Sequence, residues 1–250
     1  MHWCFNREGL GGSQGEDQTV PEPGFGDDVS CPAAGPRYTL LIDSNNKAYA
    51  SGFIESKFEY RGHFGVDPDK LSEGSNSWKL INRVNINGEV RTSPAFSKVY
   101  TGATGSANSG EMHSLLIDEN GDVYTTGNNN RGQLCLGDTE SRFIPHKISL
   151  KRPAIAAALG EDFTLILMKN GDVYGCGSNE KGELGLGSKV KFVDTPSNDN
   201  GLIDIVELSS GLNFALFRAK NGRVYSTGSN MYMQQCKDSN GEPTTTAQVS

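Results

Sequence analysis

Apolar residues in this chain fall in short runs of two or three, broken by polar turns, and the pattern recurs along the sequence. His113-Ser-Leu-Leu-Ile-Asp118 is followed by Glu119-Asn-Gly-Asp122 and then Val123-Tyr-Thr-Thr-Gly127. The same succession returns as Phe163-Thr-Leu-Ile-Leu-Met168 to Gly177, and as Phe214-Ala-Leu-Phe-Arg-Ala219 to Gly228. A worn copy lies upstream, from Tyr38 to Gly52. Two short β-type runs around a polar turn predict a hairpin in each copy. Asn120-Gly121, Asn170-Gly171 and Asn221-Gly222 occupy the turn, which predicts type I′ geometry with positive φ at both residues. Asn45-Asn46 takes that place in the worn copy.

The strand-ending glycines give the period. Gly127 to Gly177 is 50 residues, Gly177 to Gly228 is 51, and Gly52 to Gly127 is 75, one period plus an insertion of about 25. A glycine three residues before each hairpin (Gly35, Gly110, Gly160 and Gly211) marks a corner, and segments such as Ile203–Leu208 before it read as a further strand. Each unit is thus three or four short antiparallel strands, too small to bury its own faces. Units of this size must stack on one another, and radial stacking makes a β-propeller.

Two copies continue past the terminal glycine into Asn128-Asn-Asn-Arg-Gly-Gln-Leu-Cys-Leu-Gly137 and Ser178-Asn-Glu-Lys-Gly-Glu-Leu-Gly-Leu-Gly187. Together with Asn-Gly-Asp-Val-Tyr-x-x-Gly, this resembles the regulator of chromosome condensation repeat, over roughly residues 28–236. The resemblance implies an all-β fold, a propeller with blades of about fifty residues, seven in the usual closed ring. Four recognisable blades, with cores near 35–52, 110–137, 160–187 and 211–236, predict an open or incomplete propeller that needs further blades or self-association to close. The chain departs from the family in two places. Ser51, Thr126, Cys176 and Thr227 stand where family repeats usually carry tryptophan, and Met231-Tyr-Met-Gln-Gln-Cys236 replaces the Gly-Gln-Leu-Gly loop. Both predict looser packing between blades, because large aromatics would otherwise supply buried area.

Flanking regions and the insertion read differently. Residues 1–27 and 237–250 are polar and predict a flexible lead and tail. Within 53–109, Trp78–Val84 predicts a strand and Asn87-Gly88 a turn, and Asn87-Gly-Glu-Val90 leaves room for a degenerate fifth repeat.

Charge and cysteine usage narrow the function classes. A formal net charge of −7 disfavours a broad nucleic-acid footprint or attraction to anionic membranes. No apolar run reaches transmembrane length, and the start lacks a signal-peptide layout. Five cysteines, an odd number without a Cys-x-x-Cys, argue against a disulfide framework and against a zinc or redox role, and favour a reducing intracellular, cytoplasmic or nuclear setting. Cys135 and Cys236 hold matching repeat positions and are expected to lie too far apart to bridge.

Chemical motifs yield to structural readings. Gly11-Gly-Ser-Gln-Gly15 lacks the strand and helix of a nucleophile elbow. Gly182–Gly187 with Lys189 is a repeat element rather than a phosphate loop, and Asp118–Asp122 is a hairpin turn rather than half of a calcium loop. His113 shares its position with Tyr38, Phe163 and Phe214, which predicts an aromatic packing role with a satisfied ring nitrogen. No catalytic, cofactor or metal set emerges, so the chain reads as a non-enzyme without a cofactor. Function is expected on the loops, where the copies differ. Candidate partner-binding residues are Asn130 and Arg131, Glu180 and Lys181, and Met231 and Tyr232. The leading expectation is a scaffold for another protein. The resemblance also implies guanine nucleotide exchange on a small GTPase as the alternative and, more weakly, a loop-based enzyme inhibitor.

Overall fold

The computed structural model describes residues 29–36, 38–52, 62–70, 78–102, 112–186, 190–232 and 244–249. Blade 1 is built from β1 (Val29–Ala34), β2 (Tyr38–Asp43), β3 (Ala48–Gly52) and the two-residue β4 (Lys79–Leu80), in that order across the sheet. A hairpin of β5 (Arg83–Ile86) and β6 (Glu89–Thr92) follows. Blade 2 contains β7 (Phe96–Thr101), β8 (His113–Asp118), β9 (Val123–Gly127) and β10 (Arg142–Lys147). Blade 3 contains β11 (Ala154–Leu159), β12 (Phe163–Met168), β13 (Val173–Ser178) and β14 (Phe192–Ser197). Blade 4 contains β15 (Ile205–Ser210), β16 (Phe214–Ala219), β17 (Val224–Gly228) and β18 (Thr244–Val249). Each blade is a four-stranded meander, and the fold is a β-propeller of four blades.

The segment that left room for a degenerate fifth repeat makes no blade of its own. β5 pairs in parallel with β10 through His146 and Asn85, so the hairpin extends the outer edge of blade 2 to six strands. The expected strand Trp78–Val84 is split, its first half closing blade 1 and its second half joining blade 2. In the expected tail, β18 pairs with β17 and completes blade 4. The expected lead lies outside the described residues.

Turn chemistry also differs from expectation. Gly121, Gly171 and Gly222 have positive φ but the asparagines before them do not. Each Gly N–H instead bonds the carbonyl three residues back, as in Gly121 to Asp118 at 3.0 Å. These are three-residue loops with a single left-handed position, which Asn46 (φ 60°) fills in blade 1. The two-residue turn with both positions left-handed occurs only at Asn87-Gly88 among the described hairpins, where Ile86 pairs with Glu89. Asp118 accepts the N–H groups of Asn120 and Asp122 at 2.9 Å each and so holds the turn from inside, in keeping with the hairpin reading of Asp118–Asp122.

The glycine corners are required by aromatic rings. The N–H groups of Gly35, Gly160 and Gly211 donate to the carbonyls of Tyr38, Phe163 and Phe214, and each ring covers its glycine so that a Cβ would collide with it. In blade 2 this glycine is Gly102 rather than Gly110. Its N–H donates to the His113 carbonyl at 2.9 Å, and a Cβ there would sit 2.7 Å from the His113 ring. Part of the insertion therefore lies between Gly102 and Met112.

Strand alternation sends successive side chains to opposite neighbours. Thr164, Ile166 and Met168 of β12 face blade 2, where Ile166 and Met168 join Leu115, Ile117 and Val123. Phe163, Leu165 and Leu167 face blade 4, with Ala215, Phe217 and Ala219. Tyr38, Leu40 and Ile42 meet Phe96, Leu116 and Tyr124 at the first seam. Each apolar cluster is thus a seam between two blades, as a unit unable to bury its own faces requires. On the far flank of blade 4, Phe214 and Leu216 are only half-buried and Arg218 is exposed, whereas their blade 3 counterparts are fully buried. The described blades form an open arc.

The seams are tighter than the missing tryptophans suggested. Thr126 Oγ1 lies 2.8 Å from the carbonyls of both Gly62 and Arg142 and shares its one proton between them, and Thr227 Oγ1 donates to the Glu183 carbonyl at 2.6 Å. One position after the aromatic, Ser114 Oγ donates to the His63 carbonyl (2.6 Å) and Thr164 Oγ1 to the Gln133 carbonyl (2.8 Å). Small hydroxyls thus tie each blade to a loop of the blade before it. At the middle seam Cys176 replaces the hydroxyl and is bonded to Cys135, with Cα atoms 5.4 Å apart. This bond corrects the reading that the cysteines form no disulfide framework, which weighed Cys135 with Cys236 and not with the adjacent seam position. Cys236 lies outside the described residues.

Candidate interaction face

Strand direction assigns the loops to two rims. The hairpin turns lie on one rim, with the connections between blades: Ala154 N–H bonds Gly121 and Ile205 N–H bonds Gly171. The loops leaving β9, β13 and β17 lie on the other rim, beside the loops that enter the second strand of each blade. Asn128 N–H bonds Met112, Ser178 N–H bonds Asp162, and Ser229 N–H bonds Asn213.

The loops leaving β9 and β13 are built alike from within. Asn129 Oδ1 accepts the Leu134 N–H at 2.8 Å, and Asn179 Oδ1 accepts the Leu184 N–H at 2.9 Å. Gln133 and Glu183, both buried, reach back to the N–H groups of Arg131 and Lys181 at 2.9 Å. Burial raises the Glu183 carboxyl above its ordinary range, although the N–H groups of Glu183 and Lys181 pull the other way. Left-handed residues recur at matching places: Gly132 with Cys135, and Gly182 with Gly185. Blade 1 carries the same loop in a form the sequence pattern did not reveal, as Gly62-His-Phe-Gly-Val66. There the Gly65 N–H donates to Gly62, just as Cys135 does to Gly132 and Gly185 to Gly182.

The rigid base leaves the loop tips outward. Asn130, Arg131 and Glu180 are exposed and Lys181 is half-buried. Arg131 and Glu180 meet at 3.3 Å, so two candidate pairs from adjacent blades form one patch. With both side chains about half exposed, this bridge adds little stability. Met231 and Tyr232 are 66% and 86% exposed on the corresponding loop of blade 4. Sequence reasoning missed the second row on this rim, in which Asn213 Nδ2 donates to Glu161 Oε2 at 3.4 Å. It also missed Arg142, which bonds Asp138 at 2.5 Å and anchors the base of the blade 2 loop.

His113 lies below this rim between blades 2 and 3. Its Nε2 bonds Thr164 Oγ1 at 2.9 Å, while Nδ1 has no hydrogen-bond partner. Because Thr164 spends its proton on the Gln133 carbonyl, His113 Nε2 is the donor and the ring is neutral. Burial pushes its pKa down to about 4, against the raising effect of a backbone hydrogen bond at Phe163. His63, packed edge-on against Tyr38 (centroids 4.8 Å apart), is pushed to about 3 by burial. Neither histidine reaches the rim, so they act in packing.

Among the described residues no group of three or more His, Cys, Asp or Glu side chains could hold a metal ion. A cleft of about 240 Å³ between blades 1 and 2 is lined by Val66, Lys79, Leu80, Arg83 and Ile144, among others. It falls below the several hundred Å³ usual for organic cofactor sites. No helix among the described residues is long and apolar enough to cross a membrane.

Four radial sheets joined by loop-to-blade hydroxyls, with a rim of varied loops, define a repeat propeller. The Regulator of chromosome condensation (RCC1) repeat matches at residues 120–167 and 170–217, and a second form of that repeat matches residues 154–183. Residues 120–217 therefore carry repeats of the regulator of chromosome condensation type. The chain is similar to the human X-linked retinitis pigmentosa GTPase regulator, with 58% identity over 40 residues, 16% of this chain and 4% of that protein. The mouse protein of that name is 27% identical over 124 residues, 50% of this chain and 10% of that one. Among solved structures, human WBSCR16 superposes with a TM-score of 0.71 at 17% identity, covering 90% of this chain and 56% of that one. Yeast RCC1 (Prp20), solved bound to Kap60, gives 0.72 at 18% identity, covering 92% and 50%. The chain thus spans about half the length of these propellers and a tenth or less of the curated relatives.

Proposed function

We propose that the protein is a non-catalytic interaction module that binds another protein through the rim carrying Asn130, Arg131, Glu180, Lys181, Met231 and Tyr232. The observation that carries this reading is the contrast within each loop. Asn129, Gln133, Asn179 and Glu183 are consumed in holding the loop, while their sequence neighbours stand exposed. A rigid base with a cationic side chain and an exposed tyrosine at its tips suits a protein interface, where Arg and Tyr are the types that anchor binding. An intracellular setting and a partner other than nucleic acid or membrane belong to the same proposal.

A photo-crosslinking residue at position 232, compared with one at position 221 on the opposite rim, tests it. The adduct should form from position 232, and Arg131→Ala with Tyr232→Ala should weaken binding of the purified partner at least about tenfold. Adducts only from position 221 would overturn the assignment. A second reading, guanine nucleotide exchange on a small GTPase, is favoured by the similarity to a protein named a GTPase regulator and to a propeller described with its binding to Gsp1p. Acceleration of labelled guanine nucleotide release from a purified small GTPase, lost in the same double variant, would establish that reading over a passive scaffold.

A further inference from the structure

We infer that Cys135 and Cys176 form a thiol–disulfide exchange site that clamps the interaction loop of blade 2 to blade 3. The three seams make the case by comparison. In each, a loop of one blade that contains a left-handed residue packs against the residue preceding the strand-ending glycine of the next blade. At the first seam the loop carries left-handed Gly65 and its Gly62 carbonyl faces Thr126, and at the third the loop carries left-handed Gly185 and its Glu183 carbonyl faces Thr227. At the middle seam both positions are cysteine. Cys135 has φ 59° where its counterparts are glycines, a conformation that disfavours any side chain. Cys176, in turn, displaces the hydroxyl that closes the other seams. Each change alone weakens the seam; only together do they restore it, by a covalent bond over 41 residues of chain.

The reaction is two successive exchanges with a low-molecular-weight thiol such as glutathione. A thiolate attacks one sulfur, breaking the Cys135–Cys176 bond and forming a mixed disulfide. A second thiolate displaces the protein sulfur, giving two cysteine thiols and one oxidised low-molecular-weight disulfide. Both sulfur-bearing residues are buried, so the loop from Gly132 to Gly137 must open before attack. Exchange is therefore slow in the closed seam and coupled to loop motion. Reduction leaves the middle seam without either a disulfide or a Thr126-type hydroxyl, and the loop carrying Asn130 and Arg131 loses its covalent tether, keeping the hydrogen bond from Thr164 to the Gln133 carbonyl.

The test needs no binding partner and so stands apart from the proposed function. Full-length protein is equilibrated with oxidised glutathione, denatured and alkylated before digestion. Cys135 and Cys176 should be recovered as a linked pair, and as two alkylated residues after dithiothreitol. Reduction should lower the thermal midpoint by roughly 10 °C, the scale expected for a cross-link over a loop of this length. Hydrogen exchange at 132–137 should rise about tenfold while 182–186 is unchanged. The variant Cys135→Gly with Cys176→Thr copies the flanking seams, and its midpoint should not respond to dithiothreitol. Full alkylation of both cysteines after oxidation, or an equal response to dithiothreitol in that variant, would overturn the inference.

Discussion

Thr164→Val is the sharpest probe of how the blades are joined. The Thr164 hydroxyl is fully buried, donates to the Gln133 carbonyl at 2.8 Å and accepts from His113 Nε2 at 2.9 Å. Valine has the same shape and neither function, so two buried polar groups lose their partner at once. Each costs about 1–3 kcal/mol when left unsatisfied, so we expect a loss of about 3 kcal/mol and a fall in thermal midpoint of roughly 6–12 °C. The next seam supplies the rescue: there Phe163 stands in the histidine position and Ala215 in the threonine position. Combining His113→Phe with Thr164→Ala should recover about half of the loss, because only the Gln133 carbonyl remains unpaired. The pair also contributes to pH dependence, alongside His63. The His113 ring is held at about 4 when folded, against 6.5 as its ordinary value, so the unfolded chain binds the extra proton first. Its contribution is complete above pH 6.5 and is lost as pH falls from 6.5 towards 4, by up to roughly 3 kcal/mol. Urea unfolding across pH 4–7.5 should show a steep fall in the parent and a shallower one in the double variant. A Thr164→Val cost below about 0.5 kcal/mol, or equal pH slopes in parent and double variant, would refute the seam argument.

Further substitutions separate space from backbone conformation, each read by denaturant unfolding. Gly222→Ala meets no atom within 4 Å but sits at φ +86°, so it should cost about 1 kcal/mol. Gly177→Ala, at φ +98°, also drives a Cβ into the backbone at Asp162 and Phe163, so it should cost several times more or prevent folding. Equal costs would mean that the Phe163–Gly177 pairing is not as described. Asn46→Ala, at φ 60° and with its amide on Glu119, should cost about 1–2 kcal/mol. Asn170→Ala, in the ordinary region, should cost no more than about 0.5 kcal/mol. The opposite ranking would restore the type I′ geometry expected from sequence.

Periodicity carried most of the fold. The aromatic position, the hairpin and the strand-ending glycine recur at fixed offsets because every blade repeats the same pairing: Tyr38 with Gly52, His113 with Gly127, Phe163 with Gly177, Phe214 with Gly228. What the pattern could not supply was anything set by a neighbouring blade. Gly110 satisfied the spacing in the sequence, but Gly102 satisfies the ring, because a loop of any length can separate a strand from the next provided the last residue of the first strand still meets the aromatic. Gly62–Val66 escaped notice for a related reason: it keeps only the two left-handed corners of its loop and replaces Gln-Leu by His-Phe.

The missing tryptophans teach the same lesson from the energetic side. Counting apolar area alone, Thr126, Cys176 and Thr227 look like losses at a seam. Yet each lies against a loop whose tight left-handed turn points carbonyl groups into the gap, and an unpaired buried carbonyl is costly. The short hydroxyls meet those oxygens close to the backbone, at 2.8 Å to Gly62 and 2.6 Å to Glu183. The hydroxyl thus offsets lost apolar area by pairing a buried carbonyl, and the carbonyl belongs to a loop of the preceding blade. The loop is thus held at its base by the neighbouring blade while Asn130, Arg131, Glu180 and Lys181 remain outward. Their exposure follows from how the seam is closed, and substitutions at the tips are expected to change binding without changing stability, whereas substitutions at Thr126 or Thr227 should change both.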